Sequence, residues 1–159
     1  MTAPLEPPSQ AEVGFDVLLS DGSTAHVRLI RSEDEPSVTA FYARLSDESR
    51  RLRFLTPHPL PADDDLVRAT HFRGPDDLAL VAFRGSDLVA MAQYDRISGR
   101  HEAEVAFVVD DAYHGRGLAT ILLEHLAAEA RNHGIRRFVA YVLNENHDML
   151  HVLDRKSVV

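Results

Sequence analysis

The sequence predicts an α/β (α+β) domain built on a mixed, mostly antiparallel central sheet with flanking helices. Three features lead there: alternating apolar runs joined by short turns, segments of helical period between and after them, and a further apolar run behind the longest such segment. At 159 residues, 45% hydrophobic and 26% charged, the chain has the composition of one domain with a sizeable core. Residues 1–12 are rich in Pro and polar groups, lack periodicity and read as a disordered lead-in, which leaves 13–159 as the single domain.

The elements follow in order. In "FDVLLSDGSTAHVRLIR" two alternating apolar runs flank Asp21-Gly22, a hairpin signal, so two antiparallel strands open the fold. "SEDEPSVTAFYARL" sets Glu35 three residues after Ser32, a capping-box pattern, and Pro36 suits a first turn. Val38, Phe41, Tyr42 and Leu45 then recur at helical spacing. A second short helix is expected from Ser46 or Asp47 through "ESRRLRFL", stopped by "TPHPLP". A third is expected in "ADDDLVRATHF", whose first turn carries three acids where the helix dipole favours them.

From residue 77 three strand-like runs, "DLALVAF", "LVAMAQYD" and "AEVAFVVD", are joined by short turns into an antiparallel meander. The longest helix is expected from about Gly117 to His133, with Leu118, Ile121, Leu122, His125, Leu126 and Ala130 on one face and Gly134 at a left-handed C-cap. "RRFVAYVL" reads as a strand and "NHDMLHVLDR" as a last short helix.

Composition also removes function classes. With no cysteine, disulfides, thiolate catalysis and cysteine-ligated zinc are excluded. The histidines, His114, His125 and His147 among them, form no metal-ligand pattern, so no metal is expected, and His125 on an apolar helix face reads as a core residue. A formal charge of −8 disfavours nucleic acid, whose affinity comes from Lys and Arg displacing counterions. No run approaches the roughly 20 apolar residues of a membrane span and no signal-like start is present, so a cytoplasmic protein without a membrane partner is expected.

The chemistry concentrates in "EVAFVVDDAYHGRGLATILLEHL", residues 104–126. A helix opening directly at Gly115-Arg116-Gly117 leaves its first N–H groups without intrahelical partners, which with the helix dipole makes an anion site fit for a pyrophosphate. Arg116 and Thr120 add side-chain donors; the plainer reading, two glycines serving a tight strand-to-helix turn, stays open. A Rossmann dinucleotide site fits poorly, because Thr120 stands where a third Gly or Ala is needed and the preceding strand alternates. That alternation sets Ala103, Val105, Phe107 and Val109 on one face and Glu102, Glu104, Ala106 and Val108 on the other. A carboxylate partly desolvated on a central strand beside a second acid becomes a better general base. Glu104 takes that role, while Glu102, nearer the turn, reads as a solvated strand-end acid.

These residues resemble the central region of the GNAT superfamily of N-acetyltransferases, whose signature Q/R-x-x-G-x-G/A precedes the helix that cradles the acetyl-CoA pyrophosphate. Here the signature is His114-Gly115-Arg116-Gly117-Leu118-Ala119, with His in place of Gln or Arg. The likeness extends over about residues 15–156, and "LSDESRRLRF" with "THF" is similar to a subgroup of bacterial protein lysine acetyltransferases. Members of that subgroup are often attached to regulatory or acyl-CoA-synthetase-like domains, for which nothing in these 159 residues is expected to stand.

The resemblance implies the GNAT fold with splayed central strands, acetyl-CoA (coenzyme A) as cofactor, and Glu104, in "AEVAF", as general base. It implies that the pantetheine arm pairs with backbone near Phe107, Val108 and Val109, and that Asn146 matches a family Asn near the last helix. The tyrosine acid that follows this Asn in many members is replaced by Leu153, and only "KSVV" stands where the family has "GF" and a last strand. That strand is therefore expected to be missing or altered.

The implied reaction is direct transfer of acetyl to a lysine amine of a protein substrate, an acyl-CoA synthetase being one such partner, with the oxyanion met by a backbone N–H of Val108 or a neighbour. Acids at Asp63 to Asp65, Glu102 and Asp110 to Asp111 favour a cationic acceptor, though a solvated acidic surface explains them as well. The alternatives are a small-amine acetyltransferase or a weakly catalytic acyl-CoA-binding sensor, working as a monomer or as a homodimer through an exposed sheet edge.

Overall fold

The computed structural model describes residues 10–54, 70, 71, 74–140, 149, 151 and 152. Six strands form one sheet in sequence order: β1 Phe15–Leu18, β2 Thr24–Leu29, β3 Asp77–Arg84, β4 Asp87–Arg96, β5 Glu102–Val109 and β6 Arg137–Val139. The first four neighbouring pairs are antiparallel and the β5–β6 pair is parallel, so the sheet is mixed and mostly antiparallel, as the sequence predicts. The parallel pair follows from the intervening helix, which carries the chain back before β6 begins. No described helix is long and apolar enough to cross a membrane.

The first hairpin closes around Asp21-Gly22. Leu19 N–H donates to the Ser23 carbonyl (2.8 Å) and Gly22 N–H to the Leu19 carbonyl (3.0 Å), and Gly22 takes a left-handed φ of 83°. The lead-in differs from the expectation at its end. Residues 10–13 form a short helix, α1 (Gln10–Val13), and Ala11 is buried in the core, because an apolar side chain in a polar segment found a place against the sheet.

Helix α2 (Glu35–Arg44) sets Val38, Phe41 and Tyr42 on one sheet face with Leu45, Val81, Leu88, Met91 and Val108. Full burial of such side chains stabilises by about 1.5–3 kcal/mol each. The Ser32–Glu35 capping box does not form. Ser32–Asp34 is a 3-10 turn and α2 starts at Glu35 without a side-chain cap. The reason is Asp34, whose carboxylate is taken by Arg28 in two bonds (2.7 and 2.8 Å) and by Arg31 N–H (2.8 Å). That three-way contact fixes the chain entering the helix in place of the Ser32 hydroxyl.

Helix α3 (Asp47–Phe54) lies where the second short helix was expected. Helix α4 (Leu118–Asn132) covers the opposite sheet face, burying Leu118, Leu122, Leu123 and Leu126 against Leu80, Ala92, Val105 and Phe107. It ends as predicted: Gly134 has φ 76°, and Ile135 N–H donates to the Ala130 carbonyl at 3.0 Å. Of the third expected helix only Thr70 and His71 are described, with Thr70 helical and buried. The last expected helix is described, and helical, at Met149, His151 and Val152 alone, while Leu153 and the segment of the altered last strand lie outside the described residues.

Candidate functional site

The site is built from the end of β5 and the start of α4. Alternation along β5 is as predicted: Ala103, Val105, Phe107 and Val109 belong to the core under α4, and Val108 to the core under α2. Side chains of Phe107, Val108 and Val109 are thus committed to packing, and only their backbone can meet a ligand.

Hydrogen-bond parity decides which backbone groups are available. Ile97 N–H donates to the Glu102 carbonyl and Asp110 N–H to the Val89 carbonyl, so the even-numbered residues from 102 to 110 bond toward β4. Val108 therefore spends its N–H on β4, and the N–H groups of Phe107 and Val109 face the β6 side. There the described pairing stops at Glu104↔Val139. Of the N–H groups expected as an oxyanion donor, that of Val108 is taken by the ladder to β4, and those of its neighbours Phe107 and Val109 are not.

Beyond β5 the Asp110 carboxylate accepts from Ala112 N–H (2.9 Å) and caps a 3-10 turn, Asp111–Tyr113. His114 follows, its Nε2 2.9 Å from the Val109 carbonyl, so this side chain ties the loop back to the strand end. Gly115 and Gly117 have φ of 75° and 81°, a left-handed backbone that side chains with a Cβ resist. Gly117 is the N-cap of α4, and no side chain caps the helix. The first helical bond runs from Ile121 N–H to the Gly117 carbonyl (3.1 Å), so the N–H groups of Leu118, Ala119 and Thr120 point out of the helix start.

A Cβ at Gly115 or Gly117 would meet nothing within 4 Å. The space over this turn is open, and the residues fit a bulky anion such as a diphosphate. Leu118 is buried and Ala119 and Thr120 are half-buried, so the cradle is made of backbone. Asn146, expected beside it, lies outside the described residues.

Arg116 is not a freely pointing donor. Its Nη1 lies 3.0 Å from Asp21 Oδ2, its guanidinium carbon sits 4.8 Å from the centroid of the Tyr113 ring, and its carbonyl accepts from Ser20 N–H at 3.1 Å. Sequence reasoning missed Asp21 because it read Asp21-Gly22 only as turn chemistry.

Glu104 is exposed, which corrects the expected partial desolvation. It stands on the sheet face that carries α2, directly opposite Asp95 on β4. Asp95, the last residue of the "LVAMAQYD" run, was the missed partner; registering β4 against β5 would have found it. Glu102 departs from the solvated acid expected: it is half-buried and paired with Arg137 at 2.7 Å.

Asp110 and Asp111, read in the sequence as favouring a cationic acceptor, are both bound by groups of the fold itself. Asp110 is buried 3.4 Å from Arg44 Nε. Asp111 accepts from Ser46 N–H (2.8 Å), Ser46 Oγ (3.0 Å) and Ser49 Oγ (2.6 Å) at the start of α3. Burial alone would raise its carboxyl, but the bonds from Ser49 and Ser46 outweigh it and hold the group below the usual carboxylate range. Asp63 to Asp65 and His147 lie outside the described residues. His125 packs its ring on Phe15, centroids 4.3 Å apart, but both are half-buried, so it lies at the edge of the core and not within it.

Residues 30–156 match the acetyltransferase (GNAT) family. The GNAT domain of S. lividans PAT superimposes with a TM-score of 0.89 at 43% identity, over 94% of this chain and 89% of that one. A curated acetyltransferase of Pseudomonas aeruginosa is 30% identical over 125 residues, 75% of this chain. Acetyltransferase Pat of Mycolicibacterium smegmatis is 44% identical over 57 residues, 36% of this chain. The matched stretch spans 66% of the first curated relative and 17% of the second.

Proposed function

Because the chain belongs to the acetyltransferase (GNAT) family, we propose that it transfers acetyl from acetyl-CoA to the ε-amine of a protein lysine, with Glu104 as general base. The observation that carries this reading is one strand–loop–helix segment holding both an exposed carboxylate, Glu104, and an uncapped helix start at Gly117. Likeness to the GNAT domain of S. lividans PAT favours a protein acceptor.

Bound acetyl-CoA supplies an acetyl group activated as a thioester. The N–H groups of Leu118, Ala119 and Thr120 hold its diphosphate at the positive end of the α4 dipole. A lysine amine, with a pKa near 10.4, is about 99.9% protonated at pH 7 and cannot attack in that form. Glu104 takes the proton, directly or through one water, and its exposure leaves it open to an approaching protein. Asp95, on the same sheet face, adds negative charge that attracts the cationic acceptor. The backbone N–H groups of Phe107 and Val109 are the donors available where charge develops on the reacting carbonyl. With no cysteine in the chain, no thiolate relay takes part.

The test is to incubate the purified chain with acetyl-labelled acetyl-CoA and a cytosolic extract, beside a Glu104→Gln control. Glu104-dependent label on protein lysines supports the reading. Label confined to small amines moves the acceptor to that class, and no label in either fraction leaves an acyl-CoA-binding module.

A further inference from the structure

We propose that Asp21, in the turn between β1 and β2, is a positioning residue for the cofactor: it fixes the Arg116 guanidinium at the rim of the Gly115–Gly117 cradle. The turn and the cradle thereby form one anion-binding unit. The proposal rests on the cofactor reading above and adds to it a part of the molecule far from the motif in sequence.

The two carboxylate oxygens of Asp21 divide the work. Oδ1 is anchored within the turn, accepting from Ser23 N–H (3.0 Å) and Ser23 Oγ (2.6 Å), while Oδ2 holds Arg116 Nη1 at 3.0 Å. Hydrogen bonds from Ser23, with a smaller contribution from the Arg116 charge, keep the carboxyl below its usual value. Arg116 is held at two further points, by its ring contact with Tyr113 and by Ser20 N–H on its carbonyl.

An arginine has five N–H donors in a rigid fork, and one carboxylate at Nη1 leaves others for an incoming phosphate. A side chain already ordered before the ligand arrives loses less freedom on binding. Arg116 is about one-third exposed, so its remaining donors stay within reach of solvent and ligand.

Asp21→Asn separates the charge from the turn, since the amide oxygen still accepts from Ser23 while the ion pair with Arg116 is lost. By calorimetry, Asp21→Asn is expected to weaken acetyl-CoA binding about fivefold, the upper range of a partly exposed ion pair. Saturated kcat is expected to stay unchanged. Arg116→Ala is expected to weaken binding at least as much, and adding Asp21→Asn to it to cost nothing more, because Asp21 acts through Arg116. Any general defect of the turn appears in both backgrounds, so the comparison cancels it.

Wild-type or tighter affinity in Asp21→Asn, or equal weakening with and without Arg116, overturns this proposal alone. Failure of the wild-type chain to bind acetyl-CoA overturns the cofactor reading and this proposal with it.

Discussion

Asp95 and Glu104 stand directly opposite each other on β4 and β5, so two carboxylates share one face of the sheet at the end away from the α2 core. Two acids so placed favour a cationic amine that comes between or beside them. Glu104→Gln is therefore expected to lower kcat by about 10²-fold or more, as loss of a general base does, while leaving acetyl-CoA affinity intact. Asp95→Asn is expected mainly to raise the acceptor KM. Steady-state kinetics with calorimetry of the cofactor reads both. Unchanged turnover in Glu104→Gln removes that residue from the mechanism.

Gly117 combines a φ of 81° with the N-cap position of α4. A Cβ there meets no neighbour, so the cost of Gly117→Ala is backbone strain alone, about 1–2 kcal/mol. Gly117→Glu adds bulk and negative charge over the outward-pointing N–H groups. It is expected to abolish acetyl-CoA binding in calorimetry while the melting temperature stays close to that of Gly117→Ala. Normal binding by the Glu variant rules out this turn as the phosphate site.

How much of this was legible in the sequence depends on the range of the interaction. The meander, α2, α4 and both ends of α4 follow from period and punctuation, which are local: Val38, Phe41 and Tyr42 repeat with the helix, and Gly117 and Gly134 stand where left-handed backbone is needed. Pairings across the fold were not legible. Nothing local ties Asp21 to Arg116, Asp111 to Ser46 or Arg28 to Asp34, and of these acids charge alone had pointed only Asp111 toward an acceptor. The Ser32 capping box failed for the same reason, a motif overridden by a salt bridge from a neighbouring strand.

The Arg28–Asp34 pair is the stability counterpart. Its side chains are 14% and 8% exposed, and the guanidinium also lies 4.8 Å from the Phe83 ring centroid. Burial would raise the Asp34 carboxyl, but hydrogen bonds from Arg28 and Arg31 prevail and lower it. A carboxyl lowered in the folded state gives stability that is fully present above its unfolded pKa of about 3.9 and is lost as pH falls through the folded value. Urea unfolding is thus expected to show wild-type stability dropping below about pH 4, with a shallower drop in Asp34→Asn. Arg28→Ala strands a buried carboxylate and is expected to cost about 3 kcal/mol at pH 7. A cost below about 1 kcal/mol would mean that water reaches Asp34.

Asp111 links the loop before the cradle to the start of α3 through Ser46 and Ser49, so the segment that would hold the cofactor and the helix beside it share an anchor. Ser46 also caps α3, its Oγ accepting from Ser49 N–H at 3.1 Å. Removing the Asp111 carboxylate altogether releases both serines, and the first turn of a helix only eight residues long has little else to hold it. Asp111→Ala is expected to speed amide hydrogen exchange across Asp47–Arg51 by about tenfold while leaving α4 unchanged, since Asp110, not Asp111, caps the turn before the cradle. Exchange that rises equally in α4 would mean that Asp111 supports the whole loop, and the loss would then appear in acetyl-CoA binding as well.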